Sequence, residues 1–496
     1  MFYKNLKQFK KDLETKRENY WQKKGQKMAL SLFHKAAKRV PAYKDFLDQN
    51  KVNPKKIKTI EDFKKLPIIT KSNYLKAYPL EKLCWDGKPG KADMISISSG
   101  SSGEPSFWFR GREQEDETVL SHELFMVNSF GIDKQSTLFI VSFSMGMWVA
   151  GTLTFRAAQS IAEKYDMTVI TPGINSGDTL NIIKKLGDKY DQIIIAGYPP
   201  FVKDIIDGGE TSGIDWKKYK IRFLFAAEAF SEGWRDYLYQ KVGSETPLKD
   251  SLSIYGTADA LILGHETPLS IKIIREAFKN PDIFRKLFSS DVRVPTFVQY
   301  NPLLRYFEQD ENNLVFTASS GIPLIRYNIG DEGRLLSLWE VNDVFSEFGI
   351  NLDKECKKEK VSIWQLPFLY VLGREDLTTT LYGINIYPET IKEGLGLGGI
   401  VEHTSGKFAM IAKNDSNFNQ YLEINVELKI NQSNYPADLA YKIKESIVGM
   451  LKIKSKEYNE LYKALGRKAE PEIQLCMYGD KRFFTPGSKQ KWHRKA

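Results

Sequence analysis

Between residues 92 and 330, short apolar runs with strand character alternate with amphipathic stretches, and this alternation limits the fold more than any other property of the chain. Residues 138–141, 167–171, 192–196, 221–225 and 252–254 read as strands, and 179–186, 201–206 and 231–242 read as helices. Strands joined through helices run parallel and are covered on both faces. The expected fold class is α/β, with mixed, largely parallel sheets flanked by helices. Open sheets of this kind bind ligands beyond the carboxyl ends of their strands. Two segments that follow strands are therefore of first interest: Gly197-Tyr198-Pro199-Pro200 and Ala226-Ala227-Glu228.

A chain of 496 residues has room for two or more domains. Residues 265–313 read as a mostly helical insertion, with helices at 272–277 and 282–288, and strands return at 314–316 and 335–338. After Gly373 the pattern changes to strands at 408–411 and 422–430, one long helix over 437–465 and a strand at 472–477. The expected organisation is a large domain over 1–373 and a small α/β domain over 374–496.

Charge is unevenly placed. The chain carries +10 overall, but residues 1–60 alone sum to +12 and the remainder to about −2. The excess lies on helix-like segments 4–30 and 32–48, where Leu6, Phe9, Leu13 and then Leu32, Phe33, Ala36, Ala37 and Val40 recur at helical spacing. Packed helices with a solvated basic face explain this pattern; a surface for an anionic partner is the alternative. No nucleic-acid recognition motif accompanies the charge, so nucleic acid is not an expected partner. Cys84, Cys356 and Cys476 lie too far apart for a disulfide framework or a zinc site, which favours a reducing, cytoplasmic setting. Lys4, Lys7, Lys10 and Lys11 interrupt any secretory h-region. Residues 136–155 are uncharged, but Gly146, Gly151 and several Ser and Thr break the run into a strand and a glycine-kinked segment, so no membrane span is expected.

The strand-like run 92–97 leads into Ser96-Ile97-Ser98-Ser99-Gly100-Ser101-Ser102-Gly103-Glu104-Pro105-Ser106. Glycines without a Cβ let backbone N–H groups and hydroxyls close around phosphate oxygens. A flexible surface turn has the same composition. A P-loop kinase or ATPase is disfavoured, because G-x-x-x-x-G-K-[ST] does not occur.

Further motifs follow in order: Ile254-Tyr255-Gly256-Thr257-Ala258-Asp259, Ile325-Arg326-Tyr327-Asn328-Ile329-Gly330-Asp331, Leu372-Gly373-Arg374-Glu375-Asp376, Tyr382-Gly383-Ile384-Asn385-Ile386-Tyr387-Pro388, and a C-terminal run from Thr485 to Arg494. With the serine loop, the segment 36–43 and Leu66-Pro67-Ile68-Ile69-Thr70-Lys71, this set resembles the adenylate-forming (acyl-CoA synthetase, adenylation-domain and luciferase) superfamily, in its phenylacetate–CoA ligase-like branch. The resemblance runs through nearly the whole chain.

The resemblance implies ATP-dependent activation of a small-molecule carboxylic acid to an acyl-adenylate, with Mg²⁺, followed by transfer to a thiol, first of all coenzyme A. It assigns Ser98, Ser99, Gly100, Ser101, Ser102 and Gly103 to the β/γ-phosphates, and Tyr255, Gly256 and Thr257 to the nucleotide. Glu228 falls in a nucleotide segment. Asp331 would take the ribose hydroxyls and Arg374 the ribose or phosphate. Asp259 stands where the family has Glu, as a catalytic and metal partner; it keeps the charge but is one methylene shorter. Trp148, Tyr198 and Ala227 would line the acyl pocket, which points to an aromatic or flat apolar acid. Asp376 would be the hinge of a mobile C-terminal domain. Lys491, in Lys491-Trp492-His493-Arg494, would be the catalytic lysine, with Gln490 where the family has Gly and Lys489 as a competitor. Glu104 stands where related loops have Lys, and Leu377 replaces a frequent second acid. An acidic carrier-protein thiol, an amine or a hydroxyl are alternative acceptors. A non-catalytic nucleotide-binding scaffold is the alternative from another class.

Overall fold

The structure is a computed structural model; it describes residues 5–90, 94–98, 106–146, 148–288, 294–374, 379–429 and 435–484, without the side chains of Ser98 and Arg374. A hairpin of β1 (Met94–Ser98) and β2 (Ser106–Arg110) flanks the serine loop. The strands read from the sequence are present as β3 (Thr137–Ser142), β4 (Met167–Ile170), β5 (Gln192–Gly197), β6 (Ile221–Ala226) and β7 (Ser251–Thr257). They lie side by side and parallel in the order β4-β3-β5-β6-β7. Every residue of β3 and β5 is buried, which is why both read as continuous apolar runs rather than alternating ones.

Beyond β7 the same sheet continues antiparallel, through β8 (Leu261–His265), β9 (Thr296–Gln299), β10 (Tyr306–Asp310), β11 (Asn313–Ala318), β12 (Leu324–Leu336) and β13 (Phe368–Arg374). Among the described residues the sheet has eleven strands, in the order β10-β11-β12-β13-β9-β8-β7-β6-β5-β3-β4. Residues 265–313 are therefore not a helical insertion alone. They contain the expected helices, as Pro268–Lys279 and Pro281–Phe288, but also β9 and β10. β9 has only 4 residues, too few to show a period. The strand expected at 335–338 is the end of β12, and Ser337 caps a helix from Leu338 through a capping box with Glu340.

Helix boundaries shift for similarly local reasons. The basic N-terminal region forms Leu6–Thr15, Glu18–Arg39 and Pro41–Gln49, not two helices parted near residue 31. Pro41, with no N–H to give, opens the third. Phe9, Leu13, Phe33, Ala36 and Val40 are buried as their spacing implies, and Lys35 and Lys38 are exposed. The long C-terminal helix is two, Leu439–Lys454 and Lys456–Leu465, because the Ser455 hydroxyl accepts from the Tyr458 N–H at 3.1 Å and caps a new start.

The C-terminal segment contains a hairpin of β14 (Thr379–Leu381) and β15 (Ile384–Ile386), and a sheet of β16 (Thr404–Asn414), β17 (Gln420–Leu428) and β18 (Glu472–Cys476). The hydrophobic cluster beneath the parallel strands runs on into this segment through Tyr382, Ile384, Phe408 and Ile443. The three cysteines are buried and unpaired. Among the described residues no helix is long and apolar enough to cross a membrane.

Candidate active site

A cavity of about 620 Å³ opens at the carboxyl ends of β5, β6 and β7. Tyr198, Ala227, Glu228, Tyr255, Gly256 and Thr257 line it from that side. Asp259, Asp331 and Gly373 line it from the antiparallel half, and Gly383 and Gln420 from the C-terminal segment. Trp148, at the start of the Val149–Ala162 helix, closes a further wall. The sequence-derived residues that the structure describes thus converge on one space.

The two aspartates of the cavity are held by two crossed hydrogen bonds. The Tyr255 hydroxyl of β7 donates to Asp331 Oδ2 of β12 at 2.5 Å. The Tyr327 hydroxyl of β12 donates to Asp259 Oδ2, in the turn after β7, at 2.7 Å. Three strands lie between β7 and β12 in the sheet order. In a flat sheet four strand spacings amount to about 19 Å, well beyond the reach of a tyrosine and an aspartate. The bonds exist because the sheet twists and coils until its two halves face each other across the cavity. Within the 325–331 run, the sequence alone gives Tyr327 no role of its own. Its only signal there was its position four residues before Asp331 in a strand, which places both side chains on one face.

Asp259 is 1% exposed. Its main-chain oxygen accepts from Arg110 Nη1 at 3.3 Å, and the Ala258 oxygen accepts from Nη2 of the same guanidinium. Arg110 Nε also donates to Ser96 Oγ at 3.0 Å. Burial pushes the Arg110 pKa down to about 9, against the opposing pull of Asp259, so the group stays cationic at neutral pH. One buried arginine therefore ties the hairpin of the serine loop to the turn that carries Asp259. Its only signal in the sequence is an arginine that ends the otherwise apolar Phe107-Trp108-Phe109 run, a pattern that does not by itself mark a buried tie.

Glu228 belongs to a different connection. Its Oε1 accepts from the Gly383 N–H, and its Oε2 accepts from Gln420 Nε2 at 2.7 Å. The Gln420 Oε1 in turn accepts from the Tyr382 N–H at 2.7 Å. Glu228 retains exposed area on the cavity side, but its carboxyl is enclosed, and desolvation pushes its pKa up to about 7. Next to it, Ala227 has φ +78°, a left-handed conformation that is costly for a residue with a Cβ. Gly383 has φ +78° as well, and a Cβ there would lie 2.3 Å from Tyr198 Cδ1. Tyr198 is thereby roofed by the C-terminal segment and packs edge-on against Phe143, with ring centroids 5.0 Å apart.

Ser99, Gly100, Ser101, Ser102, Gly103, Glu104, Asp376, Leu377, Lys489 and Lys491 lie outside the described residues, as do the side chains of Ser98 and Arg374. The backbone of Arg374 pairs with that of Asp331 in the β12–β13 register, so these two positions adjoin. Among the described residues no three His, Cys, Asp or Glu side chains converge as a metal cage. Asp259 offers one carboxylate at the cavity, a donor set that fits Mg²⁺ held chiefly by substrate phosphates rather than by a protein cage.

No protein-family model matches the chain. In sequence it is 21% identical over 357 residues to a phenylacetate-coenzyme A ligase from Thermus thermophilus, covering 71% of this chain and 70% of that protein. In structure it is similar to a 2-hydroxyisobutyryl-CoA ligase in complex with 2-HIB-AMP and CoA in the thioesterification state, with a TM-score of 0.67 at 15% identity over 98% of this chain and 92% of that one. Against the same ligase in the postadenylation state with R3-HIB-AMP the TM-score is 0.56, at the same identity and coverage.

Proposed function

With the fold of the adenylate-forming superfamily as the premise, we propose that this chain activates a carboxylic acid with ATP and passes the acyl group to coenzyme A. One observation carries the reading: the crossed Tyr255–Asp331 and Tyr327–Asp259 bonds present two buried carboxylates at the carboxyl end of a parallel sheet. No base poised for nucleophile activation is needed there, because a carboxylic acid is already ionised near neutral pH. Its oxygen attacks the α-phosphorus of ATP, the bond to the β-phosphate oxygen breaks, and acyl-AMP and pyrophosphate form. The thiol of CoA then displaces AMP from the acyl carbon.

Each residue has a task that its chemistry suits. Asp331, oriented by Tyr255, accepts from the ribose hydroxyls with the two oxygens of one carboxylate. Backbone N–H groups of residues 98–103 hold the phosphates. Mg²⁺ bound beside Asp259 would neutralise charge on the phosphates. Arg374 and Lys491 supply cations at ribose and α-phosphate, guanidinium as a planar fork and lysine as a point charge on a flexible stem. Residues 374–496 act as a domain hinged at Asp376, so that Lys491 serves the first half-reaction only. Orientation and charge neutralisation supply the rate enhancement.

The test is pyrophosphate release across a panel of carboxylic acids, with and without CoA. Acid-dependent release supports the reading, and consumption of CoA fixes the acceptor. If no acid elicits pyrophosphate, the chain is a nucleotide-binding scaffold. Lys491→Ala should abolish pyrophosphate release yet still convert preformed acyl-AMP and CoA to thioester. Wild-type release by that variant removes Lys491 from the mechanism.

A further inference from the structure

The lining of the cavity is not uniformly apolar. Ile97, Trp148, Leu153 and Ile262 line it, but so does His122, from the Arg112–Phe125 helix. His122 is 1% exposed. Its Nδ1 lies 2.8 Å from the main-chain oxygen of Thr118, one helical turn earlier. A carbonyl oxygen only accepts, so Nδ1 carries the hydrogen. Burial pushes the His122 pKa down to about 4; the Thr118 bond opposes this and nearby His265 adds to it. The ring is neutral at neutral pH, and a neutral imidazole has a single N–H. Its Nε2 is therefore a bare acceptor, and it is buried with no hydrogen-bond partner among the described residues.

Two further polar residues lie in this region, one on the cavity wall and one on the His122 helix. Thr154, also buried, lines the same cavity from the Val149–Ala162 helix. Gln114 lies eight residues before His122, on the same helical face as Thr118 and His122, and both atoms of its amide are unpartnered as well. Buried acceptors of this kind are normally satisfied, so an orphan on a side chain that lines the cavity calls for a partner, and a ligand in the cavity could supply one.

We propose that His122 is a specificity-determining residue whose Nε2 accepts a hydrogen bond from a neutral O–H or N–H group carried by the acid at the end remote from its carboxylate. The proposal rests on the carboxylate-activation reading above. It narrows the expected aromatic or flat apolar acid to one with a hydroxyl or amide N–H at its far end. A plain hydrocarbon leaves Nε2 unpaired. A methyl ether sets lone pair against lone pair. A second carboxylate meets no cation on His122, because the ring is neutral.

The experiment measures kcat/KM for pyrophosphate release with matched trios: 4-hydroxyphenylacetate, phenylacetate and 4-methoxyphenylacetate, and 6-hydroxyhexanoate, hexanoate and 6-methoxyhexanoate. In at least one trio the hydroxy acid should exceed the plain acid by about 10- to 100-fold, since the plain acid leaves one buried acceptor without its hydrogen bond. The methoxy acid should rank last. In His122→Leu the hydroxy-to-plain ratio should fall to near one, and His122→Gln, which restores an acceptor, should keep part of it. Should His122→Leu not fold, the wild-type trios and His122→Gln decide the matter. Turnover without any hydroxyl preference, or a preference that survives His122→Leu, overturns the proposal and leaves the activation reading standing. Silence with every acid removes the activation reading and the proposal together.

Discussion

The two ends of the cavity are held by opposite means. At one, Asp331 and Asp259 each accept from a tyrosine hydroxyl, and all four residues belong to strands or turns of the central sheet. At the other, Glu228 closes on Gly383 and Gln420, which lie 155 and 192 residues further along the chain and outside that sheet. The first arrangement is fixed when the sheet coils. The second is a clasp between the loop after β6 and the C-terminal segment. The difference separates a binding end, whose loss should cost chemistry, from a seam, whose loss should cost arrangement.

The largest effect should come from the fixed end. Asp331→Asn keeps an acceptor for Tyr255 but removes the charge and one acceptor for a ribose. Two hydrogen bonds to a charged group are worth roughly 3–4 kcal/mol together, so adenylation should fall by about 100- to 1,000-fold. Thermal stability should change much less. A variant that unfolds instead of merely losing pyrophosphate release would mean that the crossed bonds are chiefly structural.

The seam is tested next by Gly383→Ala. The new Cβ meets the Tyr198 ring, and φ +78° is strained for alanine. Together these should destabilise docking by about 2–3 kcal/mol. Limited proteolysis should then cut near residues 374–385 far faster than in the wild type, with pyrophosphate release less affected than thioester formation. Equal loss in both half-reactions would erase the distinction between the two ends.

Protonation provides a gentler probe of the same seam. The Glu228 carboxyl, pushed from its ordinary 4.5 up to about 7 in the docked state, holds a proton there that an exposed or unfolded state has already lost. Between pH 4.5 and 7 the docked state binds more protons, so its stability should fall as pH rises and level off above 7. The full effect is roughly 2–3 kcal/mol, reduced by the solvent on the cavity side. Glu228→Gln cannot titrate. The stability difference between wild type and variant should drift over that window alone, measured by thermal unfolding across pH 4 to 8. A difference that stays constant would show that Glu228 is not desolvated.

The legibility of the molecule follows the same division. β3 and β5 could be read directly because burial on both faces leaves runs dominated by apolar residues, and β6 could be read despite Arg222 because Phe223-Leu224-Phe225 follows it. β9 could not, since 4 residues carry no period and its place in the sheet is set by partners elsewhere. Tyr255, Asp259 and Asp331 stand out in the sequence because each sits in a run with motif character, and the structure brings all three to one cavity. Arg110 and His122 do not stand out, because one arginine in an aromatic strand or one histidine in a helix is indistinguishable in sequence from a surface residue. Their meaning is in what surrounds them: backbone oxygens for Arg110, a cavity for His122. Glu228 was placed correctly beside a strand end, but its partners at 383 and 420 are contacts that no local pattern announces.

The smallest effect should come from Tyr327→Phe, and it probes how the fixed end works. The variant keeps the ring, which is fully buried and packs edge-on to Phe316 at 5.5 Å, and removes only the hydroxyl that donates to Asp259. A single hydrogen bond to a carboxylate is worth roughly 1.5–2 kcal/mol, so pyrophosphate release should slow by about 10- to 30-fold if the bond serves to aim Asp259. The dependence on Mg²⁺ concentration distinguishes this from a stability effect. An Asp259 left free to rotate should raise the Mg²⁺ requirement, whereas a loosened sheet would lower activity equally at every concentration. An unchanged Mg²⁺ requirement together with unchanged activity would leave the Tyr255–Asp331 bond as the sole functional member of the crossed pair, and would make Tyr327 a residue that only fastens β12 across the coiled sheet.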